Sequence, residues 1–192
     1  RFLLLMYACN GSNPFHAGNL KGATLYEVLA NNLHDRGEPI IEIGVYALIP
    51  NHFHFILKEI RENGISLFMQ KLFTGYTMYF NKKYDRAGEL FAGTYKSKHV
   101  TDDIYLKRVV PYVHCNPIEL FEPRWKDGKG NKEKIKTQLL QYRYSSLLDF
   151  LKINRPEKAL LGDAIFELFD LPISIENMLN EAQVYYAEMY RG

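Results

Sequence analysis

The chain has 192 residues, 47% of them hydrophobic and 24% charged, with a formal net charge of +2. Those values describe one or two folded domains with a real core, argue against disorder, and do not by themselves indicate nucleic acid. Two cysteines, Cys9 and Cys115, exclude a disulfide framework and fit a reducing cytoplasm; the apolar run over residues 2–9 is too short to span a bilayer, and no secretory leader is visible.

In chain order, residues 2–9 read as the end of a buried helix and residues 10–22 as a turn-rich loop. Thr24 suits the N-cap of a helix reaching to Asp35, with Leu25, Val28, Leu29 and Leu33 at helical spacing. Residues 40–48 (IIEIGVYAL) and 52–58 (HFHFILK) are rich in β-branched and aromatic side chains and flank a Pro50-Asn51 turn, which predicts a hairpin. Residues 64–84 carry Ile65, Phe68, Leu72, Phe73, Tyr76 and Phe80 on one 3.6-residue stripe and predict a long helix. Residues 88–100 (GELFAGTYKSKHV) predict a third strand. Thr101 resembles an N-cap, Asp102 and Asp103 suit a helix N-terminus, and the helix runs to Asn116-Pro117, with Pro111 predicting a kink or a fresh start. A polar, lysine-rich loop is expected over 121–137, followed by short helices over 145–151, 162–169 and 174–190. The fold class is α+β, an antiparallel sheet with helices on one face and a helical C-terminal extension. Three strands are few, so a further N-terminal strand is expected upstream of Arg1.

Three constellations carry chemistry. His52 and His54 are residues i and i+2 of a strand, so both imidazoles leave one face and can share a metal ion, while Phe53 turns toward the core. Two histidines without a role on a half-exposed strand satisfy the same spacing. Tyr112 and Asn116 are i and i+4 on a helix, which aims a phenol and an amide at one site. With 14 tyrosines in the chain, a packing role for Tyr112 stays open. Lys96 and Lys98 alternate on the expected third strand, with Lys82, Lys83 and Arg108 near in sequence, a pattern that suits phosphates or simply a solvated strand edge.

The segments 46–57 (YALIPNHFHFIL), 79–84 (YFNKKY), 88–97 (GELFAGTYKS) and 112–117 (YVHCNP) occur in this order. Together they resemble the Tyr-dependent single-strand DNA transposases of the HUH nuclease superfamily, and most closely their REP-associated branch. Residues 142–151 (YRYSSLLDFL) resemble the start of that branch's C-terminal extension, so the likeness spans roughly residues 40–151. It implies a ferredoxin-like catalytic domain over 1–120 and a helical extension over 121–192. It implies His52, His54 and Asn116 as ligands of Mg2+ or Mn2+ and Tyr112 as nucleophile; the charge pattern makes Lys82, Lys83, Lys96, Lys98 and Arg108 the expected DNA contacts. The implied reaction is metal-dependent nicking and strand transfer of single-stranded or hairpin DNA through a 5′-phosphotyrosine, in the cytoplasm at the nucleoid, by a monomer or homodimer. The alternatives are a catalytically inactive, domesticated hairpin-DNA-binding descendant and a water-using phosphoesterase. Departures from the family pattern are Ala92 and Thr94 where Gln and Arg are usual, Pro111 before the tyrosine, and a long segment over 10–36.

Overall fold

A computed structural model describes residues 1–16 and 20–189. It is an α+β fold with a helical C-terminal part. Part of the expected 10–22 loop, residues 17–19, lies outside the described residues, as does Tyr190. The chain divides into two compact units. One holds residues 1–42, 57–98 and 159–161; the other holds 43–56, 99–158 and 162–192. Among the described residues no helix is long and apolar enough to cross a membrane.

In the first unit, helix α1 (Phe2–Cys9) buries Leu4, Leu5, Met6, Ala8 and Cys9 and so is apolar nearly all round. Its Phe2 ring meets Tyr76 of α3 (Gly64–Tyr84) edge-on at 4.8 Å. Asn10, buried just after α1, acts as a surrogate strand edge: its Oδ1 accepts from the Ile40 and Ile41 amides at 3.1 Å, and its Nδ2 donates to the Ile41 carbonyl at 3.0 Å. Helix α2 (Leu25–Ala30) begins at Thr24 in the expected manner, with a capping box shared with Glu27. It stops well short of Asp35, because Asn32 takes a positive φ of 48° and breaks the helical path. Helix α3 has the expected bounds, and its buried stripe of Phe68 and Leu72 gains Met69. Its first residue must be glycine: a Cβ on Gly64 would lie 2.4 Å from the Ile40 carbonyl oxygen.

The expected third strand over 88–100 does not form. Gly88 and Gly93 take φ of 88° and 85°, which breaks an extended path, and Phe91 instead stacks on Phe73 of α3 at 4.1 Å. Its aromatic content serves docking onto a helix rather than strand pairing.

Strands β1 (Ile41–Ile49) and β2 (His52–Glu59) form the expected hairpin, an antiparallel pair whose turn lies in the second unit. The neighbour of β1 comes from the C-terminal part: Ala47 bridges Ser145, the Leu48 amide donates to the Tyr144 carbonyl and the Ser146 amide to the Tyr46 carbonyl, both at 2.9 Å. Arg155 pins this edge by donating to the Ser145 carbonyl at 2.6 Å and the Tyr46 hydroxyl at 3.0 Å, while it pairs with buried Asp149.

Helix α4 (Asp103–Cys115) is capped by Asp102, one residue beyond the expected Thr101, whose hydroxyl donates to the capping carboxylate at 3.0 Å. It runs through Pro111, and Val110 and Val113 pack with Val45, Ala47, Phe150 and Ile165. The lysine-rich stretch 121–137 is not a loop. Trp125 is fully buried, Asn131 caps helix α5 (Lys132–Gln141), and Ile135 and Leu139 enter the core one turn apart. Helix α6 (Leu147–Phe150) and 3-10 turns over Pro156–Leu160 and Ala164–Leu168 lead to α7 (Ile175–Met189). Met178, Leu179, Ala182 and Tyr186 of α7 share a core with Cys115, Ile118 and Trp125.

Candidate functional site

Four of the sequence-selected residues meet in the second unit. Strand alternation puts His52 and His54 on one face, with ring centroids 5.2 Å apart and planes 87° apart. Helix α4 brings the Tyr112 ring edge-on to His54 at 5.5 Å. Asn116 continues the helical path beyond Cys115, and its Nδ2 donates to the Tyr112 carbonyl at 2.8 Å. Its carboxamide also lies close enough to the His54 ring to favour the protonated imidazole. The i, i+2 and i, i+4 spacings therefore converge. Phe53, expected in the core, is only half-buried and rests on Phe55 at 5.0 Å.

The electrostatics of the two histidines differ. Burial, aided by the charge of His52, lowers His54 to about 4, although the Asn116 carboxamide works in the opposite direction; the Lys126 charge adds slightly to the lowering. His54 is therefore neutral at pH 7. His52 is exposed, and its Nδ1 lies 2.8 Å from the Asn51 carboxamide oxygen, which can only accept. That bond places the proton on Nδ1 and leaves the Nε2 lone pair free to ligate. Asn51, read from sequence as a turn residue, thus sets the tautomer of its neighbour. The signal that marks it is its place immediately before the histidine strand.

Among the described residues there is no group of three or more His, Cys, Asp or Glu side chains able to hold a metal. A divalent ion at this site would rely on the imidazoles of His52 and His54 and the Asn116 amide oxygen. That donor set is short of a closed protein cage and fits only a weakly held divalent ion.

Around Tyr112 the last helix closes a ring cluster. Tyr185 and Tyr186 of α7 lie 5.2 and 5.0 Å from the Tyr112 ring. The Tyr185 hydroxyl is 3.0 Å from that of Tyr105, and burial and this bond hold its acidity well below that of an ordinary phenol. Arg108 lies over Tyr185 at 6.0 Å and pairs with Glu188; Lys126 lies over Tyr186 at 3.9 Å and pairs with Glu119. Sequence reasoning missed both tyrosines and Lys126, because the helix and turn that carry them are far along the chain from the histidines.

The four lysines fall elsewhere. Lys82 and Lys83 end α3, and Lys96 and Lys98 follow Phe91, all in the first unit. Lys83 lies over the rings of Tyr79 and Tyr84 at 5.9 and 5.1 Å. Lys96 and Lys98 are exposed on irregular backbone, so their alternation defines no sheet face. His114, within the same motif as Tyr112, turns the other way: it is fully buried, its Nε2 is 2.9 Å from the Ser146 hydroxyl, and its ring packs on Phe150 at 4.8 Å.

A family model described as "Transposase IS200 like" matches residues 13–116, more than half of the chain and inclusive of the histidine pair, Tyr112 and Asn116. No curated protein and no solved structure matches the chain.

Proposed function

Because the chain belongs to the IS200-like transposase family, we propose that it nicks and rejoins single-stranded DNA beside a hairpin, with Tyr112 as nucleophile. The convergence of His52, His54, Tyr112 and Asn116 in one unit carries this reading. The Tyr112 oxygen gives up its proton and bonds to phosphorus. The bond from phosphorus to the 3′ oxygen breaks, and that oxygen takes a proton to leave as a free 3′-hydroxyl. A 5′-phosphotyrosine remains, which keeps the free energy of the phosphodiester, so rejoining needs no ATP. Microscopic reversal on a second 3′-hydroxyl completes strand transfer.

His52, His54 and Asn116 would hold Mg2+ or Mn2+, which when bound neutralises charge at the scissile phosphate. The chain's own residues do the positioning. Asn51 fixes the His52 tautomer, Asn116 fastens the end of α4 by donating to the Tyr112 carbonyl, and the Tyr185 and Tyr186 rings limit the swing of the Tyr112 ring. Arg108 is the contact for flanking phosphates in this unit, and Lys82, Lys83, Lys96 and Lys98 are DNA contacts of the first unit. All four central residues come from one chain, so a monomer carries a complete set, with residues 121–192 as an extension of a catalytic domain over 1–120.

The test is a denaturing gel of the protein with Mn2+ and labelled single-stranded hairpin oligonucleotides. A protein-linked band is expected, and it should vanish in Tyr112→Phe while DNA binding survives. A band that persists in Tyr112→Phe refutes the nucleophile. Cleavage without a band points to water as the attacking group, and binding without cleavage to an inactive descendant.

A further inference from the structure

The turn after α4 contributes a second element to this site. Trp125 is fully buried, its ring meets Tyr186 edge-on at 5.4 Å, and its carbonyl accepts from Gln183 Nε2 at 2.9 Å. The next residue, Lys126, therefore starts from a fixed backbone. Its ammonium lies 3.9 Å from the Tyr186 ring centre, Tyr186 lies 5.0 Å from Tyr112, and Tyr112 lies 5.5 Å from His54. The cation thus stands at the end of a ring chain that begins at the histidine pair.

Of the two cations over the rings that flank Tyr112, Lys126 is the less solvated: its side chain is 21% exposed, against 45% for Arg108. Its ion-pair partner is Glu119, on the 3-10 turn Asn116–Leu120. An ammonium has three donors, and one carboxylate leaves donors over for an arriving anion. Desolvation makes such a cation more rewarding for an anionic ligand than one in bulk water.

Building on the tyrosine-transposase reading above, we propose that Lys126 binds the phosphodiester on which Tyr112 acts, and that Glu119 holds its ammonium in place until the DNA phosphate displaces it. The ligand is a phosphate of single-stranded DNA. The exchange is one anion for another at the same cation, so it breaks no covalent bond.

A structural ion pair and a phosphate site with a resident carboxylate respond to mutation with different signs. If the pair is only structural, breaking it from either side weakens the protein alike. If Glu119 competes with DNA, then Glu119→Gln tightens binding while Lys126→Ala loosens it. The experiment measures anisotropy of a labelled single-stranded hairpin oligonucleotide pool across a salt series, in EDTA, with wild type, Lys126→Ala, Lys126→Arg and Glu119→Gln. Thermal melts of each variant accompany it, and adduct formation with Mn2+ is followed separately. Loss of the Lys126 charge should reduce the slope of log affinity against log salt by about 0.7. Lys126→Arg should restore the slope, and Glu119→Gln should raise affinity about threefold, as expected when a charge-assisted competitor is removed.

A Lys126→Ala slope equal to that of wild type overturns the proposal, and so does weaker binding in Glu119→Gln. The two readings fail separately. Adduct formation in wild type with no effect of Lys126→Ala on slope or rate sinks the phosphate site alone. A Lys126-dependent slope with no adduct in wild type sinks the nucleophile and leaves the phosphate site standing. No binding by wild type sinks both.

Discussion

His114 should make the protein acid-sensitive in a way that one substitution removes. Its ring is fully buried against Phe150, its Nδ1 has no hydrogen-bond partner, and its Nε2 meets the Ser146 hydroxyl. Burial, reinforced by the charge of Arg155, lowers it from 6.5 to about 3. The folded value lies below the unfolded one, so the native state binds fewer protons on the acid side. The stabilisation is complete above about pH 6.5 and is lost progressively as pH falls toward 3. At pH 5 the unfolded chain has gained about 1.5 pH units of protonation free energy that the native state cannot match, about 2 kcal/mol. That figure depends on the unfolded value alone, provided that the native group stays well below pH 5. The assay is urea unfolding between pH 7.5 and 4.5 for wild type and His114→Gln, whose uncharged amide can still reach Ser146. Other titrating groups act in both proteins, so they cancel in the difference. Wild type should lose about 2 kcal/mol more than the variant between pH 7.5 and 5. Parallel pH profiles would refute the idea that a neutral buried imidazole limits acid stability.

Two further substitutions test local geometry. Gly64→Ala drives a Cβ to 2.4 Å from the Ile40 carbonyl, a backbone atom that cannot rotate away, and should cost about 2 kcal/mol, read as a lower urea midpoint at unchanged slope. Asn51→Ala removes the acceptor that fixes the His52 tautomer and should weaken Mn2+ binding about tenfold, measured by calorimetry, with thermal stability unchanged.

The parts that were legible in the sequence are those set by short-range periodicity. The alternation in HFHF placed both imidazoles on one strand face, and the four-residue step from Tyr112 to Asn116 placed their groups on one helix turn. Thr24 with Glu27 marked a helix start because both halves of the capping box lie three residues apart. The illegible parts depend on partners distant in sequence. Residues 88–97 carry strand-like aromatics, yet Phe91 finds its partner on α3, and two glycines with positive φ end any extended path. Helix α5 hides among lysines because its core anchors are only Ile135 and Leu139, too few to show a stripe. The neighbour of β1 is a three-residue stretch around Ser145, too short for any pattern, held by backbone bonds and by Arg155.

The same distant contacts explain why the site cannot be read from its motifs alone. His52 and His54 owe their position to a hairpin whose β1 edge is closed by Ser146, and Ser146 also anchors His114 on the inner side of α4. Tyr112 is half-buried on another side of that helix, and the rings that limit it come from α7. One helix therefore faces two ways: His114 fastens it to the β1 edge through a residue of the C-terminal part, while Tyr112 meets His54 and two tyrosines of that same part. Ile118, Trp125, Leu139, Leu147 and Tyr186 bury one another, so the tail that frames the tyrosine folds into one core with the turn that follows it. The region that matches the family ends at residue 116, whereas the rings packed on Tyr112 lie on α7, more than sixty residues further along the chain.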